Sequence, residues 1–242
     1  MPFLTSASVD PARAGGGYPF SLPAVRGLDQ VRFAPVTVFV GDNGTGKSTL
    51  AEALAIGAGL NAEGGSKNLR FTTHPTHSEL HRALVMRWTT RPRWGWFLRA
   101  ETFYGMASHI HDDDDPLSGV KALFPDLHDR SHGESFLTLI ESRMQPAGFY
   151  VLDEPESALS FHGQLTLLYA MRQALDAGAQ FVLATHSPIL MAYPGAAIYQ
   201  LDDTGIHETA YDDLESVQLW RNFLSGPEGF FRHLFETDPP EA

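Results

Sequence analysis

The chain has 242 residues, with 17 Lys and Arg against 29 Asp and Glu, a formal net charge of −12. That length suits one compact domain, 43% apolar residues suffice for a core, and the acidic balance disfavours coating DNA or a membrane through net charge. The absence of cysteine excludes a disulfide framework, a thiolate zinc site and a cysteine nucleophile, and fits a reducing, cytoplasmic compartment.

Met1 to Gly17 lacks the basic start and apolar block of a secretory signal and reads as a loose arm. No run reaches the roughly 18 apolar residues that span a bilayer, so no direct membrane insertion is expected. Tyr18 to Phe33, with its prolines and short apolar runs, predicts an edge strand or two. Val36-Thr37-Val38-Phe39-Val40 predicts a buried strand that stops at Gly41. Ser48 to Ala58 predicts a helix with Leu50, Leu54 and Ala58 on one face. Across residues 82–100, Leu84, Met86 and Trp88 alternate, a turn falls at Arg91-Pro92-Arg93, and Trp94, Trp96 and Leu98 alternate again, which predicts an antiparallel hairpin. A short helix is expected near Thr102, and Gly133 to Met144 resumes helical spacing. Phe149 to Leu152 and Phe181 to Ala184 predict two more buried strands. Between them Leu165, Leu168, Met171 and Leu175 mark an amphipathic helix with a glycine stop at Gly178. Tyr211 to Phe235 reads as two short helices broken at Gly226-Pro227. Strands alternating with helices predict an α/β fold with a mainly parallel central sheet, an antiparallel edge hairpin and a short helical subdomain.

Gly41-Asp42-Asn43-Gly44-Thr45-Gly46-Lys47-Ser48-Thr49 fits the phosphate-loop pattern, a P-loop between a strand and a helix. Its glycines let successive amide N–H groups turn inward on phosphates, and the helix adds its positive amino end. Lys47 would reach the β and γ phosphates of ATP, and the Ser48 hydroxyl would ligate Mg2+. The bland alternative is a glycine-rich turn that binds nothing. Asp153-Glu154 ends a predicted strand, where ligands of open α/β sheets sit. Asp153 would hold the metal and Glu154 would act as general base on the attacking water.

With these residues the chain resembles the ABC-type ATPases, and the resemblance covers most of its length. Asp153-Glu154-Pro155 followed by Ser157-Ala158-Leu159 is similar to their Walker B and D-loop, and Ala184-Thr185-His186-Ser187-Pro188 to their switch histidine. Ser131-His132-Gly133-Glu134-Ser135 is similar in place and outline to their signature. The flavour resembles a bacterial group of small stand-alone ATPases, distantly similar to chromosome-maintenance and RecF-like heads. The resemblance implies a P-loop NTPase domain over residues 1–242. Its nucleotide-binding core would be 18–100 and 149–205, its signature subdomain 101–148 and its C-terminal helices 206–242. It also implies an ATP-dependent head-to-tail homodimer, in which Ser131, His132, Gly133 and Glu134 of one copy cover the ATP of the other. Lys47, Glu154 and His186 would carry the catalysis. Three departures stand out: His132 replaces a glycine, Ser160 replaces the D-loop's closing aspartate, and no glutamine appears where the Q-loop should follow Trp96 to Arg99. Glu101 is the nearest candidate there for a metal or water contact, or else an acid at a helix start. Tyr18 is the expected adenine-stacking residue, with Phe20 in the same region, while Phe33 would serve equally in a core.

Other clusters point elsewhere. His74, His77 and His81 around Glu79, and His109 and His111 beside Asp112 to Asp115, have the residue types of metal ligands, but they read better as an exposed helix start and a solvated loop. Arg87, Arg91, Arg93 and Arg99, interleaved with Trp88, Trp94 and Trp96, could stack nucleic-acid bases, or could lay arginines over tryptophan rings. The second reading is favoured. A nucleotide-gated switch acting on DNA or a partner protein is the alternative to an ATPase head, with a transporter motor subunit behind it.

Overall fold

The computed structural model describes residues 1–61, 78–99, 137, 138, 140 and 143–235. In chain order these form strand β1 (Leu4–Val9), helix α1 (Pro23–Arg26), strand β2 (Val36–Gly41), helix α2 (Lys47–Gly57), helix α3 (Leu80–Ala83), strands β3 (Leu84–Trp88), β4 (Trp94–Arg99) and β5 (Gly148–Asp153), helix α4 (Phe161–Asp176), strand β6 (Gln180–Ala184), helix α5 (Pro188–Met191), strands β7 (Ala197–Leu201) and β8 (Ile206–Glu208), and helices α6 (Glu215–Ser225) and α7 (Pro227–Phe235).

Six strands build the central sheet in the order β4-β5-β6-β2-β7-β8. The first five run parallel, and β8 pairs antiparallel with β7 at the edge. Buried on both faces, the inner strands are continuously apolar rather than alternating with polar residues. Their side chains divide by the period of two. Val36, Val38 and Val40, Tyr150 and Leu152, and Phe181 and Leu183 enter one core with Leu167 and Met171 of α4. Phe39, Phe149 and Val151, and Val182 and Ala184 enter the other with Leu50, Ala51, Leu54 and Ala55 of α2. Each fully buried Leu, Val or Phe contributes roughly 1.5–3 kcal/mol, so the two cores hold the sheet rigidly between its helices. No helix among the described residues is long and apolar enough to cross a membrane.

The predicted α/β class and its mainly parallel sheet agree with this architecture, as do the strands at 36–40, 149–152 and 181–184 and the two C-terminal helices. Residues 82–100 do not close a hairpin. β3 pairs antiparallel with β1 in a separate two-stranded sheet, whereas β4 lies parallel to β5 at the edge of the central sheet. The alternation of Trp94, Trp96 and Leu98 describes one face of β4 alone, because Phe97 is fully buried on the other. The arm expected over residues 1–17 contains β1. The edge strands expected over 18–33 are replaced by α1 and a 3-10 turn at Leu28–Gln30. Ile206–Glu208, placed by sequence with the C-terminal helices, is strand β8.

Candidate nucleotide site

The parallel register sets the site. Arg99, Asp153 and Ala184 form one row across β4, β5 and β6, and Glu154 and His186 follow at the strand ends. The P-loop leaves the carboxyl end of β2 beside them. Gly41 has φ 143°, and a side chain there would run into the Leu201 carbonyl of β7, so only glycine fits. Gly46 has φ 101° and places Lys47 at the first position of α2. Between them Thr45 Oγ1 donates to the Asp42 carbonyl at 2.9 Å.

Lys47 is almost completely buried, and its Nζ donates to the Gly41 and Asp42 carbonyls at 2.8 Å each. The ammonium is thereby folded against the inside of the loop, where a phosphate oxygen could replace a carbonyl. Burial lowers the Lys47 pKa from the usual lysine range, opposed by the carboxylates of Glu154, Asp153, Asp42 and Glu156. Asp153 is pushed up by burial, against Arg99 and the Ser48 hydroxyl, which favour its ionised form. Its Oδ2 accepts from Arg99 Nε at 3.1 Å, while Oδ1 is buried without a hydrogen-bond partner. An orphaned carboxylate oxygen next to a serine hydroxyl is the hard-oxygen donor set that Mg2+ or its water shell takes, so Ser48 and Asp153 fit the metal.

Glu154 sits in left-handed backbone, φ 48° and ψ 49°, a conformation that costs about 1–3 kcal/mol for a non-glycine residue. Its amide donates to the Ala184 carbonyl at 2.9 Å, which fixes the turn over the end of β6. Glu154 Oε1 lies 3.6 Å from His186 Nε2. The His186 amide in turn donates to Glu156 Oε1 at 2.6 Å, tying the histidine's loop to the turn that follows Glu154. Tyr18, 69% exposed, reaches across to α2, its hydroxyl 2.9 Å from Thr49 Oγ1. The fold therefore gathers Tyr18, the loop 41–49, Asp153, Glu154 and His186 at one end of the sheet. Glu101, Ser131, His132, Gly133 and Glu134 lie outside the described residues.

A family model described as "AAA domain, putative AbiEii toxin, Type IV TA system" matches residues 135–192, the stretch that carries Asp153, Glu154 and His186. An uncharacterized ABC transporter ATP-binding protein of Haemophilus influenzae (strain ATCC 51907 / DSM 11121 / KW20 / Rd) is 30% identical over 110 residues. Over this stretch the chain is similar to ABC-type ATP-binding proteins. The matched stretch is 44% of this chain and 42% of the Haemophilus protein, so less than half of either is shared. Among solved structures, the SMC head domain from Thermotoga maritima is 17% identical, with 87% of this chain and 100% of that chain covered and a TM-score of 0.48. The cbiO1 protein from Clostridium perfringens, part of the ABC transporter complex cbiONQ, is 14% identical, with 97% and 100% covered and the same TM-score, 0.48.

Three residues have roles that the sequence reading missed. Glu156 holds the His186 loop, as above. Ser160, met as a departure from the family D-loop, caps α4 by accepting from the Gly163 amide at 3.2 Å. Arg99, grouped by sequence with a basic surface cluster, points inward and pairs with Asp153 and with Glu52 of α2. Glu52 carried a signal in the sequence: it is an acid inside Leu50-Ala51-Glu52-Ala53-Leu54, and a buried acid calls for a fixed partner. Within the cluster Arg91 lies 5.4 Å from the Trp88 ring centre, as the ring-stacking reading expects for that residue. The Trp96 ring is covered from elsewhere, by Arg143 at 5.0 Å. His81 sits in α3 with Nδ1 3.0 Å from the Ser78 carbonyl, and its proposed companions His74 and His77 lie outside the described residues, as do His109, His111 and Asp112 to Asp115.

Proposed function

We propose that the chain binds Mg·ATP at this site and hydrolyses it to ADP and phosphate, and that two copies pack head to tail around the nucleotide. The carrying observation is the convergence of Lys47, Asp153, Glu154 and His186 at the carboxyl ends of adjacent parallel strands. The amides of Gly41 to Thr49 and the amino end of α2 cradle the phosphates, and Lys47 exchanges its two carbonyl partners for phosphate oxygens. Ser48 and Asp153 hold the magnesium, which when bound supplies positive charge against the phosphate oxygens. Glu154 accepts the proton of the attacking water. His186, beside the Glu154 carboxylate, orients that water and contacts the γ phosphate. Tyr18 stacks on the adenine from its place over Thr49. Glu101 contributes to the metal or water contact, and the signature residues Ser131 to Glu134 of a second copy close the site.

The homodimer rests on the family resemblance and on an apolar stripe that follows the Glu154 turn: Phe161, Leu165 and Tyr169 recur at helical spacing on α4 and are exposed. Binding is tested by titrating a fluorescent ATP analogue in the presence of magnesium. Lys47→Ala should weaken affinity by about tenfold or more, since it removes the buried cation that faces the phosphates. Equal affinity in the two proteins would overturn the phosphate-loop reading.

A further inference from the structure

Arg99 is a cation inside the proposed site for which phosphate transfer has no evident use. It ends β4 in register with Asp153, and its side chain is 25% exposed. Nε contacts Asp153 Oδ2 at 3.1 Å, and Nη1 contacts Glu52 Oε2 at 3.1 Å. The two carboxylate side chains are only 4% and 10% exposed. Glu52 lies one helical turn beyond Ser48 on α2, so the guanidinium joins both arms of the metal site, the serine-bearing helix and the aspartate-bearing strand. The planar fork of arginine offers each carboxylate its own nitrogen in a fixed direction, whereas an ammonium must turn one nitrogen towards both. Stripped of this cation, Glu52 and Asp153 would be two buried, mutually repelling carboxylates of the kind that captures a divalent ion unaided. With it, the charge of Glu52 is matched and that of Asp153 is shared. Among the described residues no group of three or more His, Asp or Glu converges into a metal site of its own.

We propose that Arg99 is a built-in countercation that makes metal capture conditional on nucleotide. By occupying Asp153 Oδ2 and Glu52 it denies a free divalent ion the second carboxylate. The metal is then held only when the phosphate oxygens of ATP complete its shell beside Ser48 and Asp153 Oδ1. Arg99 is a positioning residue in this scheme, touching neither phosphate nor metal. The inference rests on the reading of Ser48 and Asp153 as metal-binding groups.

Mn2+ is the probe, its protein-bound fraction read by equilibrium dialysis of the full chain with or without ATP, the ATP where present being on both sides so that Mn·ATP in solution is not counted as bound. Wild-type protein should bind Mn2+ weakly alone and tightly with ATP. Arg99→Gln should bind Mn2+ without nucleotide about tenfold or more tightly than wild type, a gain that shrinks when ATP is added. Arg99→Lys, which keeps the charge but loses the two-nitrogen fork, should fall between them, and adding Glu52→Gln to Arg99→Gln should abolish the gain. A purely structural arginine would lower stability and leave nucleotide-free Mn2+ affinity unchanged. That result in Arg99→Gln, or in Arg99→Lys if the first variant does not fold, overturns the proposal. If wild-type protein fails to hold Mn2+ even with ATP, it is the Ser48 and Asp153 reading that falls.

Discussion

At the scale of single residues the site is assembled from groups that burial makes costly. Asp153 is a nearly buried carboxylate whose pKa is raised by desolvation in spite of Arg99 and Ser48. A folded-state value above the ordinary 3.8 means that, as pH falls, the folded protein takes up this proton before the unfolded chain does. The ionised aspartate is therefore a cost to stability at neutral pH, relieved by acidification towards 3.8. Asp153→Asn should consequently melt at a higher temperature than wild type near pH 7, with Arg99 still held by Glu52. The gap should narrow steadily as the pH is lowered towards 4. Thermal melts of both proteins across that range check the sign, and a gap that widens on acidification would mean that Arg99 and Ser48 outweigh burial. The same variant should lose metal-dependent turnover, the usual exchange between stability and a site tuned for chemistry.

Among the elements, the turn between β5 and α4 does most to place the chemistry. It starts at Glu154 in left-handed backbone and ends at Ser160, whose side chain caps α4. Ser160→Ala removes one cap from a 16-residue helix and should cost about 1 kcal/mol in denaturant unfolding, with ATP affinity unchanged. Ser160→Asp, which can still cap, should restore the loss; no recovery would show that Ser160 acts otherwise. The strands feeding this turn were legible in the sequence because β2, β5 and β6 are buried on both faces and read as continuous apolar runs. β1 was not, and of β3 and β4 the strands were legible but their partners were not. Leu84 to Trp88 and Trp94 to Leu98 each carry strand signals, but the choice between pairing with each other and pairing with distant strands is non-local. The deciding feature, Phe97 buried opposite Trp96 and Leu98, marks a two-faced strand that an alternating pattern conceals. The P-loop, Asp153, Glu154 and His186 were legible as motifs. The links of Glu156 and Arg99 to them depend on register and carry no local pattern.

Taken as a whole molecule, a chain with net charge −12 can carry the proposed phosphate site because the local field there is set by Lys47 and the positive amino end of α2, with global charge a minor term. In the proposed function a second copy completes the site, and the exposed stripe of Phe161, Leu165 and Tyr169 and the signature residues belong to the proposed seam. Glu154→Gln keeps every phosphate contact and removes only the base, so with ATP and magnesium it should sediment as a dimer while ADP leaves it monomeric. A single mass with either nucleotide would remove the dimer from the scheme. The central claim is hydrolysis at Glu154, and the measurement closest to it is single-turnover cleavage of labelled ATP by wild-type and Glu154→Gln protein at saturating enzyme. Cleavage should slow by about a hundredfold or more in the variant with ATP affinity retained. Equal rates in the two proteins would contradict the account.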